Sequence, residues 1–248
     1  LVSLSPSLLR PGVAHLFLAH PERLLAAVPG HAQWLSAAEK EHAERFRRLG
    51  DGARYRATRV LVRGILSGLL ARPPGRLDFE EGPHGRPALR AGVGRVDFNA
   101  SRSRAWVALV VTAGAACGVD VEDLSRQADV LGIARAFAPS ERAVLEAAQG
   151  EERRRTFFAL WTLKEATLKA LGTGLTLPLS ACAFHLEPEK PPRVTFGGVL
   201  AEDPKEWSFA QIAPDAGSLL AVAVRRAEPP EFILHAEAET CAAVAALV

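Results

Sequence analysis

Residues 157–175, FFALWTLKEATLKALGTGL, set apolar side chains at helical spacing and close on a glycine-bearing stop. The pattern commits this stretch to a long helix with one face in a core. Yet Glu165 lies four residues after Trp161 and three before Leu168, on the stripe that carries both. A lone buried carboxylate is costly, so the position calls for a partner. The simplest is Lys169, one turn further on, as an ordinary Glu-to-Lys helix pair.

A second acidic group lies upstream. GVDVED (118–123) reads as the end of a strand, with Asp120 and Glu122 on one face and Val119 and Val121 on the other. Neighbouring carboxylates repel unless water, a proton or a cation separates them. An exposed strand end satisfies that pair alone, and a helix pair satisfies Glu165 alone. A shared hard cation accounts for all three, because Mg²⁺ prefers oxygen ligands and leaves positions for phosphate oxygens. Of the 30 basic residues only five are lysine, and two of these, Lys164 and Lys169, fall within WTLKEATLKA. Lysine offers a compact point charge where arginine offers a planar fork. Carboxylates with lysines suit phosphoryl or pyrophosphate chemistry. The sequence has no glycine-rich phosphate loop and no Ser-His nucleophile pattern.

Composition narrows the rest. A chain of 248 residues, 48% hydrophobic, makes one large domain or two small ones. A net charge of +2 is too small to point to nucleic acid. Cys117, Cys182 and Cys241 form neither a CxxC motif nor a zinc spacing, which fits reduced thiols in the cytoplasm. No apolar run reaches the ~18 residues of a membrane span, and no signal peptide is evident.

Further elements follow from periodicity and punctuation. AHLFLA (14–19) reads as a strand. HAQWLSAAEKEHAERF reads as a helix capped by Ser36, and RYRATRVLVRGILSGLL (54–70) as a long amphipathic helix. LDFEEGPHGRPAL reads as strand, turn and strand. VDFNA, AWVALVVT and ACGVDVE read as strands, and helical segments flank Pro139. RVTF, WSFAQIA and LLAVAVRR suggest an antiparallel sheet, and the tail ETCAAVAALV a short helix or a frayed end. The turn TAGA (112–115) divides the chain into lobes 1–113 and 114–248, each with a long helix and several strands.

The ordered pair GVDVED, then FALWTLKEATLKALGTGL some forty residues on, resembles the 4′-phosphopantetheinyl transferases, whose pattern is roughly G-[VI]-D-[VI]-E followed by W-[STC]-x-K-E-A-x-x-K-x-x-G-x-G. LSAAEKEHAERFRRLGDGARYRATRVLVRGIL, the GRPAL turn and FNASRSRAWVALVV are similar to family segments in the same order. The length matches the larger, monomeric Sfp-type branch.

The resemblance implies an α/β (α+β) fold of two pseudo-twofold-related lobes, each a small, mainly antiparallel sheet packed with a long helix. Coenzyme A and Mg²⁺, with Mn²⁺ as the alternative ion, would sit between the lobes. The implied reaction moves the phosphopantetheine arm of coenzyme A to a serine of an apo acyl or peptidyl carrier protein. Asp120, Glu122 and Glu165 match the metal carboxylates. Lys164 and Lys169 match the phosphate-contacting lysines, and Lys169 also stabilises the leaving oxygen. Glu165 or a metal-bound water would take the serine proton; Glu141 aligns with a further glutamate proposed for that role, and for it a first-turn helix glutamate is an equal alternative. Arg54, Arg86, Ser101 and Arg102 match the nucleotide pocket. Trp161 is expected to be a core aromatic behind the motif. Three departures stand out: Arg102 replaces the usual histidine of S-H-S, and Glu39 and His42 stand where relatives often carry lysines. Two rivals remain: a non-catalytic coenzyme A- or carrier-binding relative, and another Mg²⁺-dependent nucleotide or pyrophosphate enzyme. No nucleic-acid or membrane partner is expected, and the expected state is a cytoplasmic monomer.

Overall fold

The computed structural model describes residues 4–82, 84–90 and 96–247. The chain divides into two compact units, one of residues up to Ala115 together with Glu231 onward, the other of Ala116–Pro230.

The first unit opens with strand β1 (Val13–Ala19), whose seven side chains are all buried. Helix α1 (Pro21–Ala27) follows, then α2 (Ala37–Glu44) and the 22-residue α3 (Leu49–Leu70). Ser36 starts α2 through a reciprocal capping box with Glu39: its hydroxyl accepts from the Glu39 N–H, and the Glu39 carboxylate accepts from the Ser36 N–H. Helix α3 begins five residues before the stretch its periodicity marks and ends with Ala71 in the left-handed region. Strands β2 (Phe79–Glu81) and β3 (Pro87–Leu89) form a hairpin, and β4 (Asp97–Arg102) and β5 (Val107–Thr112) a second antiparallel pair. Val60, Leu61, Ile65 and Leu69 of α3 are fully buried in a core shared with Phe17, Leu109 and Val111. Each such side chain contributes about 1.5–3 kcal/mol.

The second unit starts at strand β6 (Ala116–Asp123). Short helices α4 (Val130–Ala134) and α5 (Pro139–Ala147) lead into α6 (Gly150–Leu171), closed by Gly172 at φ 70°. Strands β7 (Cys182–His185) and β8 (Arg193–Phe196) pair as a hairpin. RVTF therefore belongs to that hairpin, whereas periodicity alone grouped it with the strands after it. Those strands, β9 (Trp207–Ile212) and β10 (Ser218–Arg225), form an antiparallel sheet with β6 in the order β6-β10-β9. Phe157, Phe158, Leu160 and Leu163 of α6 pack with Phe209, Ala221 and Ala223 of this sheet.

The chain then returns. Strand β11 (Glu231–His235) pairs in parallel with β1, and α7 (Glu237–Ala245) follows it, so the first sheet runs β11-β1-β5-β4. A second lobe running from 114 to 248 therefore differs from the observed division, in which the last segment completes the first sheet. Among the described residues no helix is long and apolar enough to cross a membrane.

Candidate active site

Three motif carboxylates come from β6 and α6. Strand alternation puts Asp120 and Glu122 on one face of β6, and the helix crosses that strand at close range. Gly118 makes the crossing feasible. A Cβ there would stand 2.0 Å from the Ala166 carbonyl oxygen and 2.6 Å from the Ala170 nitrogen, both backbone atoms of α6. Gly118→Ala must push the helix off the strand, and its expected cost is about 3 kcal/mol, read as a lowered denaturation midpoint. The same displacement moves Glu165 relative to Asp120, so any activity that needs both carboxylates should fall in the folded fraction.

Trp161, Glu165 and Lys169 follow one another at intervals of four along α6, and all three are half-buried. Lys169 Nζ donates to Asp120 Oδ1 at 2.7 Å and to the Val119 carbonyl at 3.1 Å. The lysine thus pairs with Asp120 on the strand, where helix spacing alone suggested Glu165. Glu122 is held from two sides: Oε1 accepts from the Trp161 indole N–H at 3.0 Å, and Oε2 pairs with Arg126 at 3.0 Å. Arg126 also lies over the Phe158 and Trp161 rings. Trp161 therefore orients a carboxylate besides packing, and Arg126 is a further member of the site. The spacing of Glu122 and Arg126 was the available signal for the latter.

The cluster carries excess negative charge. Burial, then the neighbouring Asp120 charge, pushes the Glu122 carboxyl up to about 7, against the pull of Arg126, Trp161 and Lys169. The Glu165 carboxyl is raised for the same two reasons, opposed by Lys169 and Arg126. Glu165 Oε1 is buried and has no hydrogen-bond partner among the described residues. Three hard oxygen donors, two of them uphill to ionise, suit a divalent cation of the Mg²⁺ type. Among the described residues no group of three His, Cys, Asp or Glu side chains is already arranged to hold an ion. Lys169 and Arg126 supply the positive charge instead.

Two residues expected in the chemistry are placed elsewhere. Lys164 is fully buried, with its Nζ 2.7 Å from Glu141 Oε2 and 2.7 Å from the Leu179 carbonyl, and bonded to the Cys182 carbonyl. An ammonium has three N–H donors, and these three acceptors take them all. Glu141 is 2% exposed and accepts from Lys164 and from the Ala138 and Phe184 backbone N–H groups. Lys164, expected to bind coenzyme A, and Glu141, expected as a proton acceptor, form a buried pair with each other. It ties the start of α5 to α6 and to the loop before β7.

In the first unit, Arg54 pairs with Asp51 at the start of α3. Arg102 lies over the Phe46 and Tyr55 rings at 5.9 and 5.7 Å and feels the charges of Asp51 and Arg54. His42 packs 4.6 Å from Tyr55. Arg86 pairs with Asp97 and donates to the Phe98 carbonyl at 3.2 Å, and Ser101 is buried on β4. Arg54 and Arg102 thus share one basic, aromatic patch, while Arg86 is anchored at the start of β4. Glu39 is committed inward to Arg59 and Arg63. Burial would raise its carboxyl, but Arg59, the Ser36 N–H and Arg63 together hold it below the ordinary range.

Residues 116–224 match the family model described as the 4′-phosphopantetheinyl transferase superfamily. The chain is similar to the 4′-phosphopantetheinyl transferase HetI of Nostoc, with 32% identity over 196 residues, 78% of this chain and 79% of that protein. It is similar also to the 4′-phosphopantetheinyl transferase Sfp of Bacillus subtilis, with 27% identity over 203 residues, 81% and 86% of the two chains. Among solved structures, a holo-(acyl-carrier-protein) synthase from Bacillus anthracis in complex with CoA (3′,5′-ADP) aligns with a TM-score of 0.38 at 18% identity, covering 46% of this chain and 96% of that one.

Proposed function

Because the chain belongs to the 4′-phosphopantetheinyl transferase superfamily, we propose that it transfers the 4′-phosphopantetheine arm of coenzyme A to a serine of an apo carrier protein. The serine oxygen forms a bond to the β-phosphorus as the pyrophosphate bridge breaks, and adenosine 3′,5′-bisphosphate leaves. The observation that carries this reading is the buried oxygen of Glu165, without a hydrogen-bond partner among the described residues, beside Asp120 and Lys169.

Asp120, Glu122 and Glu165 would hold Mg²⁺. When bound, the ion neutralises diphosphate charge and polarises its oxygens. The remaining work falls to side chains. Trp161 and Arg126 keep Glu122 in one orientation. Lys169 offsets negative charge growing on the leaving oxygen. Glu165, raised above the ordinary carboxylate range, is suited to accept the serine proton. Arg54 and Arg102 bind phosphate, and Phe46 and Tyr55 beside Arg102 present ring faces to the nucleotide, with Ser101 contributing from β4 and Arg86 from its anchor at the start of that strand.

Incubation with coenzyme A, Mg²⁺ and a panel of small apo carrier proteins, read by mass spectrometry, tests the proposal. One carrier should gain the mass of a single phosphopantetheine. Coenzyme A binding with no gain on any carrier, under conditions where a known transferase modifies them all, would favour a non-catalytic relative.

The raised carboxyl gives a second test. Without metal the folded protein retains a proton on Glu122 between pH ~4.5 and about 7, where the unfolded chain has lost it. Stability from this group therefore declines as pH rises through that window. Mg²⁺ must compete with the proton at the low end and meets an ionised carboxylate above it. Melting curves should show a larger Mg²⁺-induced rise in Tm at pH 8 than at pH 5.5. An equal rise at both would remove Glu122 from the ligand set.

A further inference from the structure

Two histidines that the proposed chemistry does not use are buried in the first unit, His15 on β1 at 1% exposure and His235 on β11 at 5%. His15 Nδ1 lies 3.0 Å from His235 Nε2, and His15 Nε2 lies 2.9 Å from the Leu8 carbonyl oxygen. A carbonyl only accepts, so the His15 hydrogen belongs on Nε2. In the neutral ring Nδ1 is then a bare lone pair, and His235 Nε2–H must donate to it. Phe17 covers the His235 ring with its centroid 4.3 Å away. The charged groups facing the pair are Arg10 and Glu231 near His15 and Glu239 near His235; among the described residues none of the three bonds to either ring.

This arrangement tolerates one added proton, on His235 Nδ1, because the bridge between the rings then still holds a single hydrogen. It cannot take two, because two N–H groups would then face each other across 3.0 Å. The pair also sits where it matters mechanically. β11 is an edge strand joined to β1 through five register positions. Of its five side chains only His235 is buried. The Leu8 carbonyl belongs to the turn Pro6–Leu8, and the Thr240 hydroxyl of α7 donates to the His235 carbonyl at 3.0 Å. One imidazole pair thus connects β1, the turn Pro6–Leu8 and the returning C-terminal segment.

We propose that His15 and His235 form an acid-labile fastener, and that double protonation opens it and frees β11 and the Pro6–Leu8 turn from β1. Both imidazoles are held below the ordinary histidine range, chiefly by burial. Arg10 adds to this at His15, against the Leu8 carbonyl and Glu231; the His15 ring adds to it at His235, against Glu239. The closed form therefore excludes protons that the open form binds. Opening becomes easier as pH falls below about 6.5.

Amide hydrogen exchange of the full chain, corrected for the intrinsic pH dependence of exchange, reads this opening directly. Between pH 6.5 and 5.5 the opening constant for peptides covering 231–235 and 6–9 should rise by about five- to thirtyfold, roughly fivefold for each imidazole that the closed form keeps neutral and the open form titrates near its ordinary value. In His15→Gln/His235→Phe the rise should shrink to under about threefold. Should that variant not fold, NMR titration of the two wild-type imidazoles decides: both must titrate below the ordinary value in the folded protein. A wild-type rise under about threefold, a full rise in the variant, or imidazoles titrating at about 6.5 would overturn the proposal.

Discussion

Glu165→Gln should lower phosphopantetheine transfer by at least about 10³-fold while leaving the protein folded, since loss of a metal-assisted step removes several kcal/mol from transition-state stabilisation. Glutamine keeps the shape and the side-chain length but carries no charge. One Glu165 oxygen is buried without a hydrogen-bond partner among the described residues, and its carboxyl is already costly to ionise by burial and beside Asp120. The neutral amide relieves that cost, so the variant should melt at or above the wild-type temperature. Stability and activity are thus expected to move in opposite directions, which distinguishes a site residue from a structural one. Mg²⁺ affinity measured calorimetrically should weaken in parallel. Near-wild-type transfer by Glu165→Gln at limiting Mg²⁺ would remove the residue from the chemistry.

The opposite outcome is expected for Lys164. Lys164→Met leaves Glu141 as a buried anion and deprives the Leu179 and Cys182 carbonyls of their donor. Breaking such a pair from one side typically costs about 3–5 kcal/mol, so the denaturant midpoint should drop sharply. Adding Glu141→Gln should recover part of the loss, because the stranded charge is gone. The KM for coenzyme A in the folded fraction should stay near wild type. A raised KM with normal stability would instead return Lys164 to the phosphate-binding role that the family motif implies.

Much of this site was legible in the sequence. Strand alternation put Asp120 and Glu122 on one face, and the helical period put Glu165 beside Lys169. The same period also carried a distinction that motif matching blurred. Positions 164 and 169 lie about 140° apart around a helix, so the two lysines cannot serve one ligand from equivalent positions. Lys164 is four residues from both Leu160 and Leu168, each of them buried, which assigns it to the core. Arg126 and the Trp161 indole N–H were harder to read, because their roles depend on how the loop after β6 turns back over α6. The long helices, the Ser36 cap and most strands follow from local pattern. β11 does not: EFILH is short, its partner β1 is more than two hundred residues away, and local periodicity carries no information on partner choice. Glu39 shows a related limit. Its capping role was visible at Ser36-x-x-Glu39, but its pairing with Arg59 and Arg63 required the packing of α2 on α3.

The return of the chain to its first sheet reverses the usual order of folding on the ribosome, in which N-terminal domains form first. Residues 116–230 emerge as one uninterrupted stretch, already carrying everything their own unit needs. The unit begun earlier must wait with an open sheet edge until Glu231–His235, made after the whole second unit, arrive to close it. A ribosome that stops short of codon 231 therefore damages the unit it began first, and spares the one that holds the carboxylates.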